Sequence, residues 1–434
     1  MGWSGLRRRA AAVLAAVLGV SALLGACAEA EPGGGGAAGA ARSSPAGASS
    51  AGSSGAAADP AGSGVTPPRI PSAPGLPGNP SGVGFAADGS GFALFAQCGE
   101  KRCRQSVAVL DRGADAWRPV RSPLPDVTGD LGITVGLTGL GPGRALITEG
   151  VWPPTYRTWF TPDGGRTWRT GSEKPSGTIP VVPEGGALVQ DCVKVLDDNS
   201  YCERSRLLVV LPDTGEFRVL ATQPPLEGVV SPAGEVALRG GAANPSDANP
   251  SDVNPSEGTD VLFAAADDPR TARPVLAASE DRGRTWRRAP LPGADRASHV
   301  RVTEADGTLY ALETGQLPED DTVKNGLRAI HRSTDAGHTW QRVWRHRKGA
   351  EPRSSLGDLV VAADGSLTVH GEDGVWRSTD GGGTFQRGSG GRGFSGSVTA
   401  TPLGYLWADS FGAGSFRISA DGIHWHRFEL GDGD

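Results

Sequence analysis

The sequence predicts an all-β protein, folded as a seven-bladed β-propeller of four-stranded antiparallel blades. Three observations predict it: a turn motif that returns along the chain, a Gly-bearing hairpin ahead of each copy, and no amphipathic helix of ordinary length between Gly82 and Leu430. A four-strand unit that repeats every ~40 to 65 residues is typical of a propeller blade. Six blades fit these repeats less well than seven.

The turn motif is clearest in "STDAGHTW", Ser333 to Trp340. Asp335 can accept hydrogen bonds from the backbone N–H groups just ahead and close a tight turn, and Gly337 stands where the chain needs a positive φ. Trp340 covers a large apolar area, enough to wedge one sheet against the next. The other copies pair Asp163 with Trp168, Asp281 with Trp286, Asp380 with Phe385 and Asp421 with Trp425, and looser versions pair Asp111 with Trp117 and Asp213 with Phe217.

The pattern Ser/Thr-x-Asp-x-Gly-x-Thr-Trp resembles the Asp-box, or BNR repeat, of sialidases and related β-propellers. The resemblance implies that the Asp corners are structural and lie away from an active face. It also implies a sialidase-like activity as an alternative, with a Tyr nucleophile and a carboxylate partner. The chain has four tyrosines, Tyr156, Tyr201, Tyr310 and Tyr405, and a "PRIP" stretch that precedes the first predicted strand. No catalytic residue is carried over from the resemblance.

Each corner follows a segment predicted as a hairpin with a Gly turn, such as "IPVVPEGGALVQD" in blade 3 and "GVVSPAGEVALRGG" in blade 4. With strands A to D numbered from centre to rim, the A–B turns and the C–D corners share one end of the propeller, here the corner end. The B–C and D–A connections share the other, here the loop end. Because the B–C connections are long and uneven, we expect function at the loop end.

The N-terminal residues predict export rather than structure. Three arginines, Arg7 to Arg9, precede a 15-residue apolar run that ends in "LGAC". This resembles a bacterial lipobox, which implies that residues 1–26 are a signal peptide and that Cys27 carries lipid at the outer face of the cytoplasmic membrane. The alternative is ordinary secretion with cleavage near Ala28. Residues 27–79 are predicted as a Gly-, Ala-, Ser- and Pro-rich tether, 80–430 as the propeller and 431–434 as a tail.

Four further cysteines, the charge balance and one insertion complete the domain picture. Cys98 with Cys103 and Cys192 with Cys202 are close in sequence and predict two local disulfides in an oxidising compartment; a metal site is the alternative. A net charge of −6 argues against a nucleic-acid partner, and we predict a monomer without a cofactor or metal. In blade 4, residues 243–258 repeat "NPS[DE]" and predict a solvated excursion, whose acids could gather a cation: Asp247, Asp252 and Glu257.

Two classes of function remain open. The first is a surface-tethered, non-catalytic propeller that binds a protein or a glycan, with Trp152 and Tyr156 stacking on a ligand and Lys101, Arg102 and Arg104 meeting an anionic group. The second is an exo-α-sialidase-like or other glycoside hydrolase, which needs two acids facing each other across the channel. We favour the first, because a fold alone does not define an activity. Acids near the ends of the B strands are Glu149, Asp191, Glu313, Glu372 and Asp409.

Overall fold

The computed structural model describes residues 66–128, 135–149, 157–196, 202–238, 259–293, 298–305, 307–320, 322–323, 325–388, 396–409 and 414–432. Within these ranges the regular elements are all β-strands. No helix in this part of the chain has the length and hydropathy to cross a membrane. The predicted signal peptide, Cys27 and the "NPS[DE]" repeats lie outside the described residues.

The strands form seven sheets, one for each predicted blade, so the predicted fold class is confirmed. Blade 1 comprises β1 (Asn79–Phe85), β2 (Gly91–Cys98), β3 (Arg102–Leu110), β4 (Arg118–Val120) and β5 (Val127–Thr128), which pairs with β3. Blade 2 comprises β6 (Val135–Gly139), β7 (Ala145–Glu149), β8 (Arg157–Thr161) and β9 (Arg169–Ser172). Blade 3 comprises β10 (Thr178–Ile179), β11 (Ala187–Val195), β12 (Cys202–Val210) and β13 (Phe217–Leu220).

The remaining four blades follow in chain order. Blade 4 comprises β14 (Ser231–Leu238), β15 (Thr259–Asp267), β16 (Pro274–Ser279) and β17 (Arg287–Ala289). Blade 5 comprises β18 (Ser298–Ala305), β19 (Thr308–Gly315), β20 (Gly326–Ser333) and β21 (Gln341–Arg345). Blade 6 comprises β22 (Val360–Val361), β23 (Leu367–Gly371), β24 (Gly374–Ser378) and β25 (Gln386–Arg387). Blade 7 comprises β26 (Ser397–Thr401), β27 (Gly404–Ala408), β28 (Ser415–Ser419) and β29 (His426–Glu429).

Blade 3 departs from the predicted strand order. Its "IPVVP" segment was predicted as the inner strand, but β10 pairs in parallel with β13, so the sheet order is β10-β13-β12-β11. Pro180 and Pro183 have no N–H to donate, which weakens this segment as a ladder partner for β11. The N–H of Val182 instead donates to the Arg282 carbonyl of blade 4, at 2.8 Å. Blade 3 therefore has no strand inside β11 among the described residues.

The hairpin predicted at the start of blade 4 is wrong. "GVVSPAGEVALRGG" is not two strands around a Gly turn, because Ser231–Leu238 form the single strand β14 with a bulge between Pro232 and Gly234. A Cβ at Gly234 would lie 2.6 Å from the carbonyl oxygen of Val302 in blade 5, so this glycine permits a close approach of two inner strands. The 243–258 insertion therefore joins strands A and B, and the strand residues on either side of it, Leu238 and Thr259, pair at the corner end.

The five well-matched corners close as predicted, each around its Asp carboxylate. In blade 5 the Ser333 hydroxyl donates to Asp335 Oδ1 at 2.7 Å, and the Thr339 N–H donates to the same oxygen at 2.9 Å. Thr339 Oγ1 donates to Oδ2 at 2.6 Å, and the Gly337 N–H donates to Ser333 Oγ at 2.9 Å, with a Gly337 φ of 77°. The same bonds recur around Asp163, Asp281 and Asp380, and in shortened form around Asp421.

The two looser corners keep the turn but use their acids differently. Asp111 is paired with Arg118 across its own turn, Nε to Oδ2 at 3.1 Å, and Asp213 is paired with Arg144 of blade 2. Their aromatic residues are both buried, Trp117 at 6% and Phe217 at 3% exposure. These positions therefore belong to the ring of seven corners, as predicted.

The corner aromatics join neighbouring blades. Trp340 of blade 5 packs in a core cluster with Phe263 of blade 4, ring centroids 6.2 Å apart and nearly perpendicular. Trp168, Trp286 and Trp425 pack in the same way against the preceding blade, and so does Phe385. The wedge role predicted for these residues is confirmed, and the core is a series of such inter-blade clusters.

The N-terminal end of the described chain closes the ring. Ala73 pairs in parallel with Leu430, its N–H donating to the Glu429 carbonyl at 2.7 Å, and Trp117 Nε1 donates to the Pro71 carbonyl at 2.9 Å. Ile70 is buried between blades 1 and 7. The "PRIP" stretch is thus part of this seam, and the folded body begins before the predicted boundary at residue 80, because Ile70 contributes to the core.

Candidate functional site

The loop end carries two hairpins that are each braced by a disulfide. Cys98–Cys103 joins β2 to β3 and Cys192–Cys202 joins β11 to β12, so both predicted pairings are confirmed and both lie on B–C connections. Two such bonds indicate an oxidising, extracytoplasmic environment. A disulfide across a hairpin tip reduces its conformational freedom, which suits a surface that must keep its shape.

The blade 1 hairpin has a basic tip. Lys101, Arg102 and Arg104 are all exposed there, as the sequence predicts. Arg102 is paired with Asp126, Nη1 to Oδ2 at 3.2 Å, whereas Arg104 stands opposite Gln97 in the strand register. The positive charge that this tip offers to a ligand therefore comes mainly from Lys101 and Arg104.

The blade 3 hairpin exposes apolar side chains at the end of its first strand. Val193, Val195 and Leu196 have relative exposures of 41%, 43% and 44%. The charges beside them are paired with each other, Lys194 Nζ to Glu203 Oε2 at 2.7 Å. The sequence predicted only a disulfide-braced loop here, but the structure extends β11 to Val195 and starts β12 at Cys202, so the described part of this connection is a two-stranded arm.

Most of the acids predicted near B-strand ends are bound within their own blades. Glu149 is buried and paired with Arg157, Oε2 to Nη2 at 2.5 Å, and Asp191 is paired with Arg206, Oδ2 to Nε at 2.8 Å. Glu313 is fully buried. Its partners are His331, at 3.3 Å between Oε2 and Nε2, and Arg328, at 4.0 Å between Oε1 and Nε. The backbone N–H of Glu372 donates to Ser354 Oγ, and that of Asp409 to the Ser415 carbonyl.

Two carboxyls that sequence reasoning missed are the most perturbed at the loop end. Burial, reinforced by the negative charge of Asp191, raises the pKa of Glu173 to about 7. Desolvation by the surrounding protein, reinforced by the negative charge of Glu313, raises the pKa of Asp267 to about 6. Solvent still reaches part of this side chain. Both therefore hold a proton at a pH where an ordinary carboxyl is ionised, and either can act as a proton donor or a hydrogen-bond donor.

The positions of these acids explain why they were missed. Asp267 ends β15 and occupies in blade 4 the place that the five predicted acids occupy in other blades; the wrong strand assignment for blade 4 concealed it. Glu173 directly follows β9 in the D–A connection, a class of loop that the sequence does not single out. His299, on the inner strand β18, has its pKa lowered by burial and by the positive charge of Arg301.

The two described tyrosines lie at the wrong end for a sialidase-like nucleophile. Tyr310 and Tyr405 stand at the starts of β19 and β27, which is the corner end. The Tyr405 hydroxyl donates to the Val361 carbonyl at 3.2 Å and accepts from the Val361 N–H at 3.1 Å. Burial raises the Tyr405 pKa to about 12. Both residues pack within the sheet core, as their mid-strand positions predicted.

Trp152, Tyr156 and Tyr201, which the sequence places on B–C connections, lie outside the described residues. In the described ranges, no three His, Cys, Asp or Glu side chains come together in a way that could hold a metal ion. A cleft of about 310 Å³ opens at the corner end between blades 5 and 6, lined in part by Tyr310, Arg332 and Asp380. The Asp380 carboxylate in this cleft is already held by its own turn.

The fold and this site define a seven-bladed β-propeller with a self-bonded corner end and a loop end that carries two disulfide-braced hairpins and two carboxyls of raised pKa. No protein-family model matches the chain, and no curated protein matches it.

Solved structures that it resembles include a Hadza microbial sialidase, 14% identical over 81% of this chain and 65% of that chain, with a TM-score of 0.33. Others are an α-L-arabinofuranosidase from Fusarium graminearum, 10% identical over 77% of this chain and 86% of that chain, TM-score 0.36, and an ulvan lyase, 11% identical over 82% of this chain and 95% of that chain, TM-score 0.40. Structural similarity at this level concerns the fold and not the function.

Proposed function

We propose that this protein is a cell-surface propeller, anchored through lipid on Cys27, that binds a protein or glycan ligand at its loop end without transforming it. The observation that carries the proposal is the pair of disulfide-braced hairpins at that end, with exposed basic side chains on one and exposed apolar side chains on the other. Rigid, exposed and chemically varied loops on a stable scaffold are the usual arrangement of a recognition surface.

The corner end supports the same assignment by contrast. Its Asp carboxylates accept hydrogen bonds from their own turns, so they offer little to a ligand. Trp152 and Tyr156 follow β7 in the chain, between blades 1 and 3, and both are residue types that anchor interfaces or stack on sugar rings. We place the ligand over these three blades.

Glycan-array binding and pull-down with the full chain test the proposal, comparing the wild type with the Trp152→Ala/Tyr156→Ala double variant. Binding should weaken by about 2 kcal/mol or more if the pair are interface anchors, while thermal stability stays unchanged. Ile423→Ala, which changes an exposed side chain at the corner end, is the matched control and should bind as the wild type does. Equal binding by the double variant, or no binding by the wild type, would exclude the proposal.

The anchor needs its own test. Cys27→Ser should abolish metabolic labelling with a fatty acid and release the chain into the medium, because the lipidated residue is lost. A variant that stays labelled and cell-associated would show that Cys27 is not the attachment point.

A glycoside hydrolase is the second candidate, and the acid pair Glu173–Asp191 favours it. A carboxyl that is protonated near neutral pH beside an ionised one is the combination that glycosidases use, and Glu173 has such a pKa. Assays against sialosides and a panel of glucans decide between the two classes. Turnover that is lost in Glu173→Gln but kept in Glu184→Gln, at the corner end of the neighbouring blade, would establish the enzyme; we expect no turnover.

A further inference from the structure

Blade 3 differs from the other blades in that its B strand pairs on one side only among the described residues. Strand β15 of blade 4 pairs with β14 on one side and β16 on the other, and the same holds for the B strands of the other blades. Strand β11 pairs only with β12 among the described residues, because the chain before it lies outside β13. A strand edge without a neighbour is a template for another strand.

Burial along the strand follows from this difference. Residues Val261–Ala266 of β15 are all buried, whereas Ala187–Asp191 of β11 are half-buried and the rest of β11 is exposed. The register with β12 is regular from Ala187 to Cys192, and a bulge follows at Val193. The stretch before the bulge is therefore an ordinary β-strand that no other described strand pairs with on its second side.

Apolar surface continues from this edge. Four large hydrophobic side chains are exposed in the described part of the chain, and three of them are Val193, Val195 and Leu196, while the fourth, Ile423, is at the corner end. Clustering of this kind marks an interaction site more than scattered exposure does.

Acidic charge lies beside the same edge. The negative charge of Asp191 disfavours ionisation of Glu173, and Asp191 is paired with Arg206, Oδ2 to Nε at 2.8 Å. A Lys or Arg side chain brought next to Glu173 would relieve this repulsion. A second copy of β11 would add another Asp191 carboxylate instead, so self-pairing at this edge is electrostatically disfavoured.

We infer that the β11 edge, Ala187–Val195, binds an extended peptide segment of a partner protein, which adds as a strand and carries apolar side chains and a Lys or Arg. This deepens the proposed function, on which it rests, by naming a polypeptide as the ligand and blade 3 as its site. Main-chain hydrogen bonds would supply affinity, while the tip valines and the Glu173–Asp191 pair would select the side chains.

The test is selection from a phage-displayed library of random linear dodecapeptides on the immobilised full chain. Selected peptides should combine apolar residues with Lys or Arg. Synthetic copies should lose binding when alternate amides are N-methylated, because a strand edge needs those N–H groups. Val193→Ser/Val195→Ser and Glu173→Gln should each weaken binding about tenfold, which corresponds to about 1.4 kcal/mol.

Ile423→Ser and Glu184→Gln are the matched controls and should leave peptide affinity unchanged, and the melting temperatures of all four variants should show that they are folded. N-methylated peptides that bind as well as the parents would overturn the inference. So would affinity losses confined to the controls, or a dimer in light scattering that the valine variant dissolves. If no peptide is selected while the glycan or pull-down ligand still depends on Trp152 and Tyr156, the inference fails and the proposed function stands; if nothing binds, both fail.

Discussion

The carboxyl groups at the corner end and at the loop end of this propeller have pKa values shifted in opposite directions. At the corner end, burial would raise the Asp335 pKa, but hydrogen bonds from Thr339 and Ser333 outweigh it and hold the pKa at about 2. At the loop end, burial of Glu173 and Asp267 is not offset in this way, and their pKa values rise to about 7 and about 6. The same side-chain chemistry thus stabilises the scaffold at one end and gives carboxyls of raised pKa at the other.

This contrast teaches that repetition and function are separated in space. A turn that satisfies its own acid can be copied in every blade, because it needs nothing from its surroundings except the preceding blade's apolar surface. The two carboxyls of raised pKa occur singly, after β9 and at the end of β15, next to or within the blades in which the regular strand pattern also fails.

Removing a corner aromatic should have the largest effect on stability. Trp340 is 9% exposed and packs against Phe263 between blades 4 and 5. Trp340→Ala therefore leaves a cavity between these two blades. We expect the free energy of unfolding to fall by about 3–5 kcal/mol, measured by denaturant titration. Val193→Ala at the loop end is the counterpart and should change it by less than about 0.5 kcal/mol. If the loop variant proves the more damaging one, the assignment of the two ends is wrong.

A smaller effect should separate backbone strain from inter-blade packing. Gly337 and Gly349 both have a φ of 77°, but a Cβ at Gly337 would lie 3.1 Å from the Phe263 ring, whereas a Cβ at Gly349 would meet nothing within 4 Å. Gly349→Ala should cost about 1–2 kcal/mol for the left-handed backbone alone. Gly337→Ala should cost more, and the difference measures how tightly the corner presses on the next blade. Equal losses of unfolding free energy in the two variants would show that the corner accommodates the added methyl group.

Acid should weaken the corner end first. The pKa values of Asp335 and Asp421 are about 2 in the folded protein, below the ~3.9 of an unfolded Asp. Their stabilisation is therefore fully present above pH ~4 and is lost as the pH falls toward about 2. The melting temperature should drop across this window, and less steeply in Asp335→Asn. A flat profile between pH 4 and 2 would contradict the hydrogen-bonded ionised corners.

The loop end should respond weakly and in the opposite direction. The folded pKa of Glu173, about 7, is above the ~4.3 of an unfolded Glu, so the protonated form favours folding and stability falls as the pH rises from ~4.3 to about 7. Glu173→Gln should flatten this decline in the melting temperature, because the amide does not ionise. Glu184→Gln should keep the wild-type slope; if it flattens the slope equally, Glu173 is not the group responsible.

The sequence was sufficient for features that repeat or are local. The seven corners, the self-bonded Asp335 and Asp421, the wedge role of Trp340 and both disulfides could be predicted, because each depends on residues within a few positions of one another or on a pattern seen several times. The basic tip of blade 1 was predicted for the same reason.

Only the tertiary structure decided the features that depend on neighbours distant in sequence. The displaced β10, the bulge at Gly234 and the seam at Ile70 follow from contacts with blades 4, 5 and 7 that no local pattern encodes. The pKa values of Glu173 and Asp267 rise because the folded ring surrounds them with protein and brings them near the negative charges of Asp191 and Glu313. Local chemistry therefore determined the scaffold, whereas the candidate site arose from proximity, which exists only after the ring has closed.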